Sequence, residues 1–364
     1  MLKIFLALMF LSFFARANGE SNIVSVNELW RSHLRSELDP FFFFSNIDKV
    51  KSESLADELR LNEIKNYYNN EKGFNYYIDT KLSKVDALKI YSDLKLYNSQ
   101  SLSFSKENEQ LIHQARLKIK SAESGMINED ELRELLINTP DYANYNNGHY
   151  KNGLKLFLIC RKNRTYPCLF VMKDIFDQFV TNEEGEMWSM PALAHSWREL
   201  PFNITNGETP TGVHTIDSVM PYANNQKVFG KFRRLILNWI PSDKYMAEFL
   251  PQASTLSSWW KQASIARDLG RLYLRIHGTG KVNEDPNSNY YPHVGTSGCI
   301  SVREGLYDKE YYDQRLLLDK MMESMQMTPS YSDEVNLSGV LYVVNFKTDK
   351  KPVDLDEIKK NLNP

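Results

Sequence analysis

The periodicity of the apolar residues changes near residue 150, and this change limits the possible folds more than any other feature of the chain. Before it, apolar residues recur every three or four positions, for example at Leu111, Ala115 and Ile119, which is the spacing of an amphipathic helix. After it, apolar and polar residues alternate in short runs, which is typical of β-strands. This segregation predicts an α+β fold, with a helical N-terminal domain at 18–150 and a mostly-β domain with inserted helices at 151–347.

The first residues have the pattern of an export signal. Lys3 is followed by the almost unbroken apolar run Ile4–Phe14, and Ala15-Arg16-Ala17 matches a small-residue cleavage site. A run of this length is too short to cross a bilayer. We therefore expect a signal peptide at 1–17, a mature chain without a transmembrane segment, and a location in the periplasm or cell envelope of a bacterium.

The net charge of the chain does not favour nucleic-acid binding. The 364 residues carry a net charge of −2, which does not favour a basic nucleic-acid surface.

Two helix starts are indicated in the N-terminal half, one by the capping-box pattern Ser83-Lys84-Val85-Asp86 and one by Asn128 followed by Glu131. No chemical motif occurs in this half, so a contact with an envelope protein is the hypothesis for it. The Asn-rich segment Tyr142–Asn152 is interpreted as a linker.

The second half predicts a hairpin followed by further strands and two helical segments. Apolar alternation places the hairpin at Leu154–Cys160 and Cys168–Met172. The other predicted strands are Gly212–Ser218, Arg233–Trp239, Leu272–His277 and Val340–Phe346, and the helical segments are Pro241–Asp268 and Asp308–Met325. The tryptophans Trp259 and Trp260 are interpreted as core, with a lid over a cleft as the second interpretation. Residues 348–364 form a C-terminal tail.

The three cysteines divide into a pair and a single thiol. Cys160 and Cys168 stand at the two ends of the predicted hairpin turn, where cross-strand side chains are close enough to bond. In an exported chain this predicts a Cys160–Cys168 disulfide. Cys299 is then left as a free thiol, and nucleophilic catalysis is one reason for an exported protein to keep one.

The residues around Cys299 favour catalysis. Small residues precede it in Thr296-Ser297-Gly298, which lets a substrate backbone approach and leaves the N–H of Gly298 free to stabilise an oxyanion. The candidate base is His277. Strand alternation predicts that Tyr273, Arg275 and His277 face a cleft.

These motifs resemble those of the L,D-transpeptidase (YkuD-like) catalytic domain family. The resemblance rests on His277-Gly278-Thr279, on Thr296-Ser297-Gly298-Cys299-Ile300, and on the upstream segment Thr209-Pro210-Thr211-Gly212-Val213-His214-Thr215-Ile216. It covers about 151–347 and implies a mostly-β domain that joins or trims peptidoglycan stem peptides through a cysteinyl thioester, without a cofactor.

The resemblance also implies roles for single residues. Cys299 would be the nucleophile and His277 the general base and acid, while the Gly278 carbonyl would orient the imidazole. The implied substrate-binding residues are Tyr273, Arg275, Thr296, Ser297 and Arg303. Arg303 is included because Ser301 stands where members of the family commonly carry Arg or Asn.

Several alternatives stay open at this stage. His293, six residues before Cys299, is a second candidate base, and His277, His293 and Cys299 together are a less favoured zinc set because no closely spaced ligand pair occurs. If water replaces the amine acceptor, the same site makes an L,D-carboxypeptidase. A wall-binding module without catalytic activity is the remaining class.

Overall fold

The computed structural model describes residues 25–34, 38, 40–69, 75–78, 81–94, 101–140, 150 and 153–363. The chain divides into two compact units between residues 75 and 76. The predicted signal peptide at 1–17 lies outside the described residues, and so does most of the predicted linker Tyr142–Asn152. Among the described residues, no helix is both long and apolar enough to cross a membrane.

The first unit is helical in its described part. Its helices are α1 (Val26–Leu34), α2 (Pro40–Asn46) and α3 (Leu55–Asn69), with a short 3-10 helix at Ile47–Lys49. Trp30 on α1 and Ile64 on α3 are both buried. Arg60 on α3 donates a hydrogen bond of 2.9 Å to the side chain of Asn27 on α1, and its guanidinium lies over the ring of Trp30. Arg60 therefore joins the first and third helices.

The second unit combines one large sheet with helices. The strands are β1 (Asn75–Ile78), β2 (Ser101–Phe104), β3 (Met126–Ile127), β4 (Leu154–Cys160), β5 (Cys168–Lys173), β6 (Ser189–Ala192), β7 (Gly212–Val219), β8 (Leu235–Trp239), β9 (Arg275–His277), β10 (Ile300–Ser301), β11 (Glu304–Leu306), β12 (Glu310–Tyr312) and β13 (Ser338–Phe346). The helices are α4 (Lys84–Leu94), α5 (Lys106–Ala122), α6 (Glu129–Ile137), α7 (Gln226–Phe229), α8 (Asp243–Glu248), α9 (Lys261–Asp268), α10 (Asp313–Ser324) and α11 (Leu355–Leu362), with 3-10 turns at Gln252–Leu256 and Asp333–Asn336.

The large sheet is nearly closed into a barrel. Its order is β10-β9-β8-β7-β13-β4-β5-β6, and β3 pairs with the end of β13 beyond β7. Just past β6, Leu193 forms a bridge with Ser301 of β10, so the two ends of the order approach each other. Helices around a large, mostly-β sheet confirm the α+β class that the sequence predicted.

Both faces of the central strands are buried. On β4, Leu156 and Leu158 belong to one apolar core, which also contains Leu317 of α10. Phe157 and Ile159 belong to a second core, which contains side chains from α6 and from the segment before α9. Because helices cover the second face, β4 is buried along its whole length. Its side chains therefore point alternately into the two cores, and neither face of the strand meets solvent.

The predicted hairpin is present, and its ends are joined by the Cys160–Cys168 disulfide. β4 pairs antiparallel with β5 up to Ile159 opposite Leu169, which places the two cysteines at the next position of the register. Both are buried. The sulfur of Cys160 also receives a contact of 3.2 Å from the guanidinium of Arg164.

Removing this disulfide should destabilise the second unit. In the chain-entropy account, a bond that closes a loop of this length contributes about 2–3 kcal/mol. We expect the double variant Cys160→Ala/Cys168→Ala to lose about that free energy in denaturant unfolding under non-reducing conditions. Mass spectrometry of the parent chain should find one disulfide and one free thiol. Three free thiols, or an unchanged unfolding midpoint, would contradict the prediction.

The division between the compact units differs from the domain boundary predicted at 150. β3 pairs with Asn345 and Phe346 of β13, and on α5 the carbonyl of Ala122 accepts a hydrogen bond of 2.8 Å from the side chain of Gln262. Lys118 forms an ion pair with Asp268. Helices α5 and α6 therefore belong to the same unit as the sheet, through contacts that are remote in sequence and that local periodicity does not reveal.

This arrangement leads to a prediction about truncated chains. A chain of residues 76–364 keeps β3 and the buried leucines of α6, namely Leu132, Leu135 and Leu136. A chain of residues 151–364 lacks them and exposes the surface on which they pack. The lost burial costs about 2 kcal/mol of folding free energy for each leucine. We expect the longer chain to unfold cooperatively and the shorter one to be less stable by several kcal/mol. Equal denaturant midpoints would contradict this.

Three predicted elements differ from the structure. The strand predicted at Leu272–His277 begins only at Arg275, because Tyr273 adopts a left-handed backbone with φ of 64°. The helix predicted from Asp308 begins at Asp313, because β12 pairs with β11 instead. The tail at 348–364 contains α11, which is held through an ion pair of 2.5 Å between Glu357 and Arg161.

The segment Pro241–Asp268 packs as part of the second core. Trp259 and Trp260 are both buried, at 0% and 4% exposure. The carbonyl of Trp259 accepts a hydrogen bond from the hydroxyl of Thr211, directly before β7. The core interpretation of these tryptophans is therefore confirmed, and the described packing does not support a lid.

Candidate active site

Two neighbouring parallel strands carry the predicted nucleophile and base. His277 is the last residue of β9, and Cys299 directly precedes β10. In the register Ile300 lies opposite Ile276 and Ser301 lies opposite His277. The thiol of Cys299 lies against the residues that enter β9: it donates to the carbonyl oxygen of Tyr273 at 3.6 Å. The sheet therefore brings together two residues that are separated by 21 others.

The imidazole of His277 is buried and oriented by its own chain. Its Nδ1 lies within hydrogen-bond distance of the carbonyl oxygen of Gly278, the contact that the resemblance implied. Since a carbonyl oxygen only accepts, Nδ1 carries the proton and Nε2 is left as the acceptor. The ring also packs edge to face against Phe229, with 5.2 Å between centroids. In this tautomer Nε2 can act as a general base.

Gly278 is constrained by a buried carboxylate. A Cβ at this position would lie 1.7 Å from Oε2 of Glu304, and one at Gly230 would lie 2.2 Å from the same atom. Glu304 is 3% exposed, and its Oε1 accepts a hydrogen bond from the backbone N–H of Lys231. Burial raises the pKa of this carboxyl group. A side chain after His277 would therefore displace the buried carboxylate of Glu304, a contact that local sequence did not indicate.

The loop that carries Cys299 is held by hydroxyl groups. The hydroxyl of Thr296 donates to the carbonyl of Cys299 at 2.6 Å, and that of Thr209 donates to the carbonyl of Gly298 at 3.0 Å. Gly298 has φ of 100°, and a Cβ there would lie 2.6 Å from the Gly207 carbonyl oxygen. Only glycine fits this conformation and space. The loop geometry thus depends on Thr209, a residue of the motif upstream of β7.

Two backbone N–H groups of this loop, those of Gly298 and Cys299, differ from that of Thr296, which donates to the carbonyl of His195. Among the hydrogen bonds of the described residues, none uses the N–H of Gly298 or of Cys299 as donor. Adjacent free N–H groups beside a nucleophile are the arrangement that stabilises an oxyanion. The structure therefore leaves the two donors that this role requires without an internal acceptor.

The electrostatics of the site combine burial with three arginines. Burial raises the pKa of the Cys299 thiol, while the backbone N–H of Arg275 and the guanidinium groups of Arg275, Arg234 and Arg271 act in the opposite direction. Burial lowers the pKa of His277 to about 4, with Arg234 acting in the same direction and the Gly278 carbonyl against it. At pH 7 the thiol and the imidazole are therefore both neutral in the resting state, and the imidazole can accept a proton.

This resting state predicts how alkylation of Cys299 depends on pH. Because the folded pKa of the thiol is raised, its reaction with iodoacetamide should be slow at pH 7 and increase only above the ordinary thiol value of about 8.5. Cys160 and Cys168 are in a disulfide, so intact mass reports on Cys299. The Cys299→Ala chain is the blank. A plateau of reactivity below pH 7 would instead indicate a thiolate–imidazolium pair.

The implied substrate-binding residues fall into three groups. Tyr273 and Arg275 lie next to the thiol. The hydroxyl of Ser297 accepts a hydrogen bond of 3.1 Å from Trp197, and that of Thr296 holds the loop as described above. Arg303 forms an ion pair of 2.6 Å with Asp313 and lies over the ring of Tyr311. Arg303 therefore anchors α10 rather than presenting an unpaired charge.

Two other histidines of the second unit, His293 and His214, differ from His277 in their surroundings. His293 is buried, and burial together with Arg303 lowers its pKa to about 3. His214 is fully buried on β7 beside Trp239, with Nε2 at 3.3 Å from the Pro210 carbonyl. Of these three, His277 is the one on the strand paired with the Cys299 segment. In the described part of the chain, no group of three His, Cys, Asp or Glu side chains is gathered as a metal site would need.

Sequence reasoning missed four contributors to this site. They are Arg234, Arg271, Glu304 and Phe229, and each reaches the site from a different segment. The available signals were weak: Arg233-Arg234 precedes an apolar run, and Arg271 stands four residues before Arg275. Comparison with known proteins adds no further residue, since no protein-family model, no curated protein and no solved structure matches the chain.

Proposed function

We propose that this chain is a cysteine acyltransferase of the L,D-transpeptidase type that acts on peptidoglycan stem peptides in the cell envelope. The proposal includes an L,D-transpeptidase-like catalytic domain built on the barrel-like sheet, a helical N-terminal region, and export by the signal at 1–17. The observation that carries it is the placement of the Cys299 thiol against the strand of His277, whose Nδ1 is held by the Gly278 carbonyl. The motifs around both residues support the same conclusion.

The first half of the reaction makes a thioester. Nε2 of His277 accepts the proton of the Cys299 thiol as Sγ attacks the carbonyl carbon of the stem-peptide residue before the terminal D-amino acid. The N–H groups of Gly298 and Cys299 stabilise the oxyanion. The peptide C–N bond then breaks, and the imidazolium of His277 protonates the leaving amine. The acyl group remains bound to Sγ.

The second half releases the acyl group. An acceptor amine attacks the thioester carbonyl carbon and gives its proton to His277. The C–S bond breaks, and the imidazolium returns a proton to the thiolate of Cys299. A stem peptide as acceptor gives a cross-link, a free D-amino acid gives exchange, and an envelope protein gives attachment.

The test is incubation of the chain with purified muropeptides, followed by mass analysis. The expected result is consumption of the tetrapeptide donor with formation of dimers, exchanged tetrapeptides or attached protein. Tripeptide alone would identify water as the acceptor and a carboxypeptidase. An unchanged donor, together with no acyl adduct on Cys299 in a chain whose thiol still reacts with iodoacetamide, would overturn the proposal and favour a wall-binding role.

A further inference from the structure

The three arginines near Cys299 are not equivalent. Arg271 is 5% exposed, and its guanidinium donates to the carbonyls of Glu208 and Gly207 at 2.9 and 2.8 Å, and also to that of Phe202. Because its N–H groups already donate to three backbone carbonyls, this guanidinium has a structural role. Arg271 therefore holds the segment before Thr209 against the nucleophile loop.

Arg234 has unused hydrogen-bonding capacity in a buried position. It is 8% exposed, its Nη2 donates to Asn224, and its guanidinium lies 4.1 Å above the ring of Phe229. Its buried Nε has no hydrogen-bond partner. A buried cationic donor without an acceptor is costly unless a ligand completes it.

Arg275 lies beside Arg234 and lacks an acidic partner as well. Its Nη1 donates to the carbonyl of Leu274 at 2.6 Å. In the sheet register Leu235 of β8 lies opposite Ile276 and Ile236 lies opposite Arg275, so Arg234 and Arg275 extend from neighbouring strands. Ile276 also lies opposite Ile300, which places Cys299 level with Arg275. The two guanidinium groups repel each other, and both would be attracted by a thiolate at Cys299. Among the described residues neither forms an ion pair, whereas Arg233, Arg267 and Arg303 each do. Two unneutralised guanidinium groups at a nucleophile make a site that an anion would complete.

We propose that Arg234 and Arg275 form an anion subsite beside Cys299 that binds a carboxylate of the acyl donor. This inference rests on the proposed function, and it names the substrate class as a peptide with a free carboxylate next to the scissile bond. The residue before the terminal D-amino acid is, as the resemblance implies, a diamino acid. The bound carboxylate then belongs either to the terminal D-amino acid or to the side chain of this diamino acid. Arg303, which the sequence offered as a substrate-binding residue, is already paired with Asp313.

The first experiment measures the subsite without any peptidoglycan substrate. Cys299 is the free cysteine of the chain, so its alkylation at pH 9 can be followed by intact mass with iodoacetate, an anion, and with iodoacetamide, its neutral analogue. The ratio of the two rate constants cancels effects on the thiol pKa and on access. A positively charged cleft raises encounter with an anion by about tenfold or more. We expect the ratio of the iodoacetate rate constant to the iodoacetamide rate constant to be higher by that factor in the folded chain than in the urea-unfolded, non-reduced chain.

The variants assign the effect to residues. Arg234→Gln and Arg275→Gln should each lower the ratio, and the double variant should bring it to the unfolded value. Arg234→Lys and Arg275→Lys keep the positive charge, so these variants should retain most of the preference for iodoacetate. Lys309→Gln removes one charge from an exposed residue and is the matched control. A ratio that is equal in the parent and the double variant, or one that falls with Arg303→Gln alone, would overturn the inference.

The second experiment identifies which carboxylate binds. Stem tetrapeptides with either the terminal carboxylate or the diamino-acid carboxylate converted to an amide are compared with the unmodified peptide. The amide at the bound position should lower kcat/KM by about tenfold in the parent chain and cause little further loss in the double variant. An iodoacetate preference without peptide turnover would refute the proposed function and keep the subsite. Turnover without the preference would refute the subsite and keep the function.

Discussion

Replacement of Cys299 by alanine is expected to abolish both turnover of stem peptides and covalent labelling by a carbapenem. The thiol is the nucleophile of the proposed reaction, and loss of such a group typically lowers kcat by more than about 10⁴-fold. The fold should be kept, because the side chain is only partly buried and its contact with the Tyr273 carbonyl is a weak one at 3.6 Å. The loop contact from Thr296 reaches the Cys299 carbonyl, which alanine also has.

The measurements are intact mass after carbapenem treatment and product analysis with muropeptides. The matched control is the Cys160→Ala/Cys168→Ala chain, which loses two cysteines but keeps the thiol at 299, and it should still be labelled. Turnover by a folded Cys299→Ala chain would exclude thioester chemistry. Labelling of that chain would show that the β-lactam reacts elsewhere.

Local sequence patterns located several elements correctly. Asn128 and Glu131 form the reciprocal hydrogen bonds of a capping box at the start of α6, and Leu132, Leu135 and Leu136 behind it are buried. The cysteines at the ends of β4 and β5 indicated the hairpin, because alternation and spacing agreed. These signals depend on residues a few positions apart, where the chain's own geometry decides the outcome.

Patterns of the same kind failed where distant segments decide the structure. Leu272 to His277 alternates as a strand should, yet Tyr273 has a positive φ and Leu272 is 54% exposed, so pairing starts only at Arg275. The strand β3 exists because it pairs with β13, more than 200 residues later. Neither outcome is encoded within a short window, because each depends on tertiary pairing.

The candidate site shows the same contrast. The sequence supplied Cys299, His277 and the Gly278 carbonyl, since their motifs are contiguous. It did not supply Glu304, whose carboxylate packs on Gly278 from 26 positions later. Nor did it supply Arg234, which directly precedes β8 and interacts electrostatically with the thiol. It also assigned substrate binding to Arg303, which the structure pairs with Asp313. Charges that face a site from separate segments can be recognised only once the fold brings them together.

His277→Ala is expected to lower the rate of acylation by about 10²–10⁴-fold, the usual contribution of a general base. A thiol with a pKa near or above 8.5 is at most a few per cent ionised at neutral pH, so attack depends on proton removal. In the structure Nδ1 of His277 is tied to the Gly278 carbonyl, which leaves Nε2 as the acceptor. Alanine removes that acceptor and also the acid that protonates the leaving amine.

The pH profile gives an independent reading of the same role. Burial lowers the pKa of His277 to about 4, so the base is neutral above that pH and is lost as pH falls through it. As pH is lowered, the acylation rate should therefore fall near pH 4 rather than near the ordinary histidine pKa of about 6.5. His293→Ala and His214→Ala, checked for folding by circular dichroism, should affect the rate much less. An inactive His293→Ala chain beside an active His277→Ala chain would transfer the role of base to His293, because the residue that removes the thiol proton is the one whose loss stops acylation.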